Sequence, residues 1–164
     1  MPKKSMMKTY FQYLKEYEKK YGEKTILLWQ CGSFYEIYGL KNKNGIIGDS
    51  KIIEYSKILD MTVSDKKNTI EHDGERKSVV MAGYGIVVPL EKYIPKLNNA
   101  GYTVVVWHEI GDDPINGGKE RVELGVYSVG TNFDIETKSI TNNIACIWIE
   151  SFKQSIIQKT PRIF

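Results

Sequence analysis

Apolar and polar positions alternate in two distinct rhythms along this chain. Met7, Tyr10, Phe11, Leu14, Tyr17 and Tyr21 recur at three- and four-residue steps, with charges between them. That spacing predicts one face of a helix that begins near Ser5 and is stopped by Gly22. The pattern then tightens. Thr25–Gln30 is a short run of buried-strand type, Cys31-Gly32-Ser33 is tolerant of a turn, and Phe34–Leu40 is a second extended run. Ser50 stands where it would cap a second helix reaching about Leu59, with Ile52, Tyr55 and Leu59 facing inward.

Further on, Met61–Ile70 and Ser78–Gly83 read as strands joined by the polar stretch Glu71–Lys77, in which Asp73-Gly74 marks the turn. Leu90, Tyr93, Ile94 and Leu97 predict a third helix ending before Gly101; Pro95 removes a backbone donor, so a short helix starting near Pro89 is expected. Thr103–Ile110 has the β-branched composition of a central strand. Gly111–Glu120 carries the breakers of a loop, and Arg121–Val129 returns as a strand. The expected fold is a mixed α/β (α+β) domain over residues 1–131, a mixed sheet flanked by about three helices. The polar residues 132–141 read as a linker. Residues 142–164, with a strand at Ile144–Glu150, read as the incomplete beginning of another domain.

Composition narrows the function only a little. With 164 residues, 41% of them hydrophobic, the chain can bury one sizeable core. The formal charge of +3 permits nucleic-acid binding without arguing for it. The apolar runs Thr103–Trp107 and Ile144–Ile149 are far short of the roughly 20 residues that span a bilayer, and the lysine-rich start lacks a hydrophobic signal core, so an intracellular protein without a membrane partner is expected. Cys31 and Cys146 fit no disulfide framework or paired-ligand spacing.

Catalytic chemistry is hard to find. Gly117-Gly118-Lys119 lacks the earlier glycine of a phosphate-binding loop and is followed by Glu120 where Ser or Thr is needed. His72 and His108 have no metal-like partner at standard spacing, and no metal site is expected. Asp112 and Asp113, with Glu109, are the one acidic group that a magnesium-dependent nuclease could use, although Pro114 and Gly117 give it the setting of a turn.

Gly32-Ser33-Phe34-Tyr35-Glu36-Ile37-Tyr38 resembles a motif of the MutS family of DNA mismatch repair proteins, in which glycine precedes a Phe-Tyr-Glu triplet on the strand facing the mispair. Its companions fall in family order: Met6-Met7 at a helix start, Leu59-Asp60-Met61-Thr62-Val63, Met81-Ala82-Gly83 and Glu109-Ile110-Gly111-Asp112. The stretch from Arg121 to Thr131 is similar to the end of the family's first domain, and Asn142–Trp148 to the first strand of its connector domain. The resemblance departs at Tyr84-Gly85-Ile86, where the family carries a proline, and at Ser33, where aspartate is common. It points to a divergent branch, like the MutS proteins of large DNA viruses.

The resemblance implies that Phe34 and Glu36 probe a mispair in duplex DNA. Residues two apart on a strand project to one side, so these two would share a face that Tyr35 does not. An aromatic wedge entering the minor groove unstacks a step at a cost of a few kcal/mol, which a mispaired step has already partly lost. Lys66 and Lys67 match a basic pair in the family and are nominated for the DNA backbone, with Arg76 and Lys77, and Lys3 and Lys4, as lesser candidates. No catalysis and no cofactor are expected in this chain; ATP and magnesium belong, by resemblance, to the full-length family, as does a MutS-type dimer partner. The expected partner is double-stranded DNA with mismatches or small loops. The alternatives are a metal-dependent nuclease and an interaction fragment that does not bind DNA.

Overall fold

The computed structural model describes residues 5–47, 50–113 and 118–131, together with Ile147 and Ile149. The linker and connector-domain expectations, residues 132–164, otherwise lie outside the described residues. Among the described residues, three helices and seven strands follow in the order α1 (Met6–Tyr21), β1 (Thr25–Cys31), β2 (Phe34–Asn42), β3 (Gly45–Ile47), α2 (Ile52–Leu59), β4 (Ser64–His72), β5 (Glu75–Gly85), α3 (Leu90–Asn99), β6 (Thr103–Asp112) and β7 (Lys119–Tyr127). They form one sheet in the order β4-β5-β2-β1-β6-β7, with β3 paired to β2. Only β1 and β6 run parallel; the other pairs are antiparallel. The expected mixed α/β class is what the chain adopts.

Alternation along the strands decides which helix covers which face. Tyr38 and Trp29 meet Tyr10 of α1 edge to face, and Trp107 stacks on Tyr13, so odd positions of β1 and β6 and even positions of β2 look toward α1. The opposite face takes α2 and α3, through contacts such as Tyr84 on Tyr93 and Ile52 over Gly39. The core runs through both layers and includes Ile26, Leu28, Ile37, Val79 and Val104–Val106.

Several details differ from the sequence expectation. Ser50 does not cap α2: Lys51, in the left-handed region at φ 57°, holds the cap position. Ser50 is buried, its Oγ and the Ile52 side chain pressed so close over Gly39 that a Cβ there would meet them at 2.9 and 2.7 Å. A side chain turned onto β2 cannot also reach back to the helix amides. Met61–Val63 forms no strand, because Asp60 ends α2 in the left-handed region and Met61 donates back to the Ser56 carbonyl. Conversely, the polar stretch Glu71–Lys77 is mostly strand. It belongs to the β4–β5 hairpin, and its turn residues Asp73 and Gly74 both have positive φ, as a type I′ turn requires.

Four tyrosines set the alkaline limit of this core. Burial, ahead of any other cause, pushes Tyr10, Tyr38, Tyr55 and Tyr84 above the ordinary phenol value of 10.0. Tyr10 also donates to the Leu27 carbonyl at 3.1 Å and accepts from the Tyr38 amide at 3.2 Å, a role its anion could not fill. Because the folded values are raised, their contribution is complete below pH 10 and is lost as pH climbs toward the folded values. Urea midpoints are expected to be insensitive to these groups from pH 7 to about 10 and to fall above it, with absorbance of phenolate rising in step with unfolding.

Candidate nucleic-acid interface

The tip of the β1–β2 hairpin is the most distinctive surface of the molecule. Cys31 pairs with Phe34 across a two-residue loop, Gly32-Ser33, with Gly32 at φ +58°, the glycine-first arrangement of a type II′ turn. Phe34 opens β2 and is 50% exposed, on a sheet whose other strand aromatics are mostly buried or packed against the core. Leaving such a ring in water forfeits part of the roughly 1.5–3 kcal/mol that full burial would return.

The loop that carries the ring is braced from both sides. On the β6–β7 side, Gln30 donates to the Gly32 carbonyl at 2.9 Å and accepts from the Glu109 amide at 2.9 Å. The Gly32 amide donates to Glu109 Oε2 at 3.2 Å, and Arg121 Nε donates to the Gln30 carbonyl at 2.7 Å. Arg121 also closes an ion pair with Glu109 and lies over the Trp29 ring, 5.2 Å from its centroid. On the β5 side, the Ile86 amide donates to the Ser33 carbonyl at 2.9 Å. Gln30 and Arg121 as braces were not anticipated from sequence, since contacts across 79 or 91 residues leave no local pattern. Arg121→Lys keeps the charge but loses the planar fork; it is expected to cost about 1–2 kcal/mol and to speed amide exchange at Gly32–Phe34 specifically.

Glu36 sits on the same face as Phe34, about 7 Å further along the strand, but it is only 6% exposed. Its Oε2 accepts from the Tyr38 hydroxyl and lies 2.5 Å from Lys66 Nζ. Lys66 also lies 4.6 Å from the centroid of the Tyr38 ring. Burial, and then the bond to Glu36, push the Tyr38 phenol up, which keeps it a donor. The carboxylate is thus held between a phenol and an ammonium, satisfied and charge-neutralised as a buried acid must be.

Of the remaining nominated cations, Lys3 and Lys4 lie outside the described residues, and the others are spread along the sheet. Lys67 is exposed in an irregular stretch of β4 between Lys66 and Thr69. Arg76 donates from Nε to Thr69 Oγ1 at 2.9 Å, and Lys77 pairs with Asp73 at 3.9 Å. These two lie near the closed end of the β4–β5 hairpin, eight or nine residues along β5 from the Gly85 that pairs with Phe34, or roughly 30 Å. The structure therefore brings Phe34, Glu36 and Lys66 into one neighbourhood and leaves Arg76 and Lys77 outside it.

The acidic group considered for a nuclease is dispersed. Glu109 is engaged with Arg121 and Gly32, and Asp112 pairs with Lys119 at 2.7 Å. Among the described residues, no group of three or more His, Cys, Asp or Glu comes together that could hold a metal ion. His72 approaches Asp73, and His108 shares a hydrogen bond of 3.0 Å with the Tyr35 hydroxyl. Among those residues, too, no helix is long and apolar enough to cross a membrane.

Fold and site together define a small α/β module that presents a braced, half-exposed aromatic ring beside a buried acid. The chain matches the family described as MutS domain I over residues 4–136, and it belongs to that family. It is 28% identical over 157 residues, 96% of its length, to a protein of Acanthamoeba polyphaga mimivirus named as a mutS homolog of DNA mismatch repair. It is 32% identical over 126 residues, 77% of its length, to the DNA mismatch repair protein MutS of Phocaeicola vulgatus. The chain spans 13% and 12% of the length of these two relatives.

Proposed function

We propose that this chain recognises mismatched or otherwise distorted duplex DNA in mismatch repair, with Phe34 as the wedge and Glu36 as a hydrogen-bonding partner of the displaced base. The observation that carries this reading is the exposure of Phe34 on a turn that the rest of the sheet holds still. A rigid apolar probe pays little ordering cost when it inserts, so the energy of stacking is available to separate a weakened step from an intact one. Sequence is not read. Ease of deformation is.

Glu36 supports discrimination in a second way. Near a polyanion a carboxylate is unfavourable unless it gains a donor. Here Lys66 supplies the charge that Glu36 needs in the free protein, and a displaced base edge takes over as donor when Lys66 turns toward a phosphate. Lys67, exposed on the same strand, adds a backbone contact; Arg76 and Lys77 reach a duplex only where it continues along the hairpin. A second MutS-type subunit is the proposed protein partner. ATP and magnesium, like the activity of the longer relatives, have no residue assigned to them in this chain.

Band shifts with a matched duplex, a G·T duplex and a small-loop duplex test the proposal. Tighter binding to the latter two, at salt low enough for phosphate contacts to persist, supports it; equal binding to all three or none to any contradicts it. With added magnesium the DNA is expected to remain intact.

A further inference from the structure

The ring of Phe34 does not stand alone at the tip. Its cross-strand partner on β5 is Gly85, which offers no side chain to cover it. From Gly85 the chain turns tightly: the Val88 amide donates to the Gly85 carbonyl at 3.0 Å, which puts Ile86 and Val87 at the centre of a four-residue turn. Turns of this kind favour Gly, Asn, Asp, Pro or Ser, and two β-branched apolar residues there are an expensive choice for turning alone. Ile86 is 39% exposed and Val87 91%. A Cβ placed on Gly85 would lie 3.7 Å from Val87 Cγ2, so the Val87 methyl group borders the open slot that Gly85 leaves on the Phe34 face. The same turn is tied to the Phe34 loop by the bond from the Ile86 amide to the Ser33 carbonyl.

We infer that Val87 is a second prong of the wedge, packing on deoxyribose in the minor groove beside the step that Phe34 opens. This rests on the reading of Phe34 given above. The minor-groove wall is lined by sugar C–H surface, which an aliphatic group can cover without base preference, and apolar side chains are the usual tools of proteins that pry the groove open. Two apolar prongs on two turns bonded to each other enter as one unit. Val87 then sets how deeply and at what angle the ring enters a step that yields, and so how much is gained there.

The test is binding of the 164-residue chain to G·T and matched duplexes, compared for the unsubstituted protein, Val87→Ala, Val87→Ile and Phe34→Ala. Val87→Ala is expected to weaken G·T binding about tenfold while leaving matched-duplex binding, its salt dependence and thermal unfolding unchanged. Val87→Ile is expected to keep the preference. A preference that requires Phe34 but is indifferent to Val87→Ala overturns this inference alone. Absence of any preference in the unsubstituted protein overturns it together with the reading of Phe34.

Discussion

Replacing Phe34 with alanine is expected to bring the ratio of mismatched to matched affinity close to one while leaving a weak, salt-sensitive affinity for both. Two separable contributions set the affinity. The phosphate contacts proposed for Lys66 and Lys67 do not depend on the ring, and their contribution falls with salt whatever the base pairing. Stacking of an aromatic side chain on a base is worth about 1–3 kcal/mol by alanine substitution, or roughly ten- to a hundredfold in affinity. That increment is available only where the step yields. Because Phe34 is half-exposed and its loop is held by Gln30, Glu109, Arg121 and Ile86 rather than by the ring, the substitution should change stability by less than about 1 kcal/mol. Phe34→Leu, which keeps apolar bulk and loses the π face, should fall between the two. Titrations with matched and G·T duplexes at two salt concentrations, beside a thermal melt, check all three statements.

Gly83→Ala is expected to be the most damaging single-methyl substitution in the sheet. Gly83 pairs with Glu36, and a Cβ built on it would lie 2.3 Å from the Tyr35 carbonyl oxygen and 3.0 Å from the Glu36 Cα. Those are backbone atoms of a central strand and cannot rotate aside as the end of a side chain can. The conflict has to be relieved by moving β2 away from β5 at the two residues that follow Phe34. A cost of about 3 kcal/mol or more follows, which for a domain of this size lowers the melting temperature by roughly 10 °C or more. The displaced segment carries Glu36, so the surviving folded fraction should also lose mismatch preference. Gly85→Ala is the control: its Cβ would meet nothing closer than 3.7 Å, and stability should be close to that of the unsubstituted protein. Chemical denaturation of the two variants side by side measures the difference.

This contrast also gives physical content to a motif that the sequence presents as letters. Met81-Ala82-Gly83 marks the family resemblance, yet only the sheet reveals what the glycine does, because the atoms it must avoid belong to a strand nearly fifty positions earlier. The same division runs through the rest of the molecule. Helix α1 and strands β1, β2 and β6 were legible because their burial is one-sided or complete, which writes a regular period into the chain. The outer half of the β4–β5 hairpin was not, since its half-buried face is carried there by His72 and Lys77, polar residues that write no apolar alternation into the chain. Strand β3, only three residues long, left no more trace than the turn residues before it.

The candidate site was legible in the same uneven way. Phe34 and Glu36 stand out by resemblance and share a face as strand geometry demands. That one is exposed and the other buried depends on Lys66, which reaches Glu36 from β4, and on Tyr38, and neither interaction follows from spacing along β2. Lys66 illustrates the limit well: a lysine beside a lysine suggests a phosphate contact, whereas its partner in the free protein is an acid 30 residues away. Glu109 was conspicuous as an acid, but its position between Arg121 and the Gly32 amide makes it a brace.

The most direct measurement is fluorescence of 2-aminopurine placed next to a G·T mispair, followed as the protein is added. On the proposed reading the Phe34 ring unstacks the reporter as it inserts, so the emission should change on binding, change far less in a matched duplex, and stay at the free-duplex value when Phe34→Ala is bound at saturation. An emission change of equal size with Phe34→Ala, or none with the unsubstituted protein fully bound, would contradict the account.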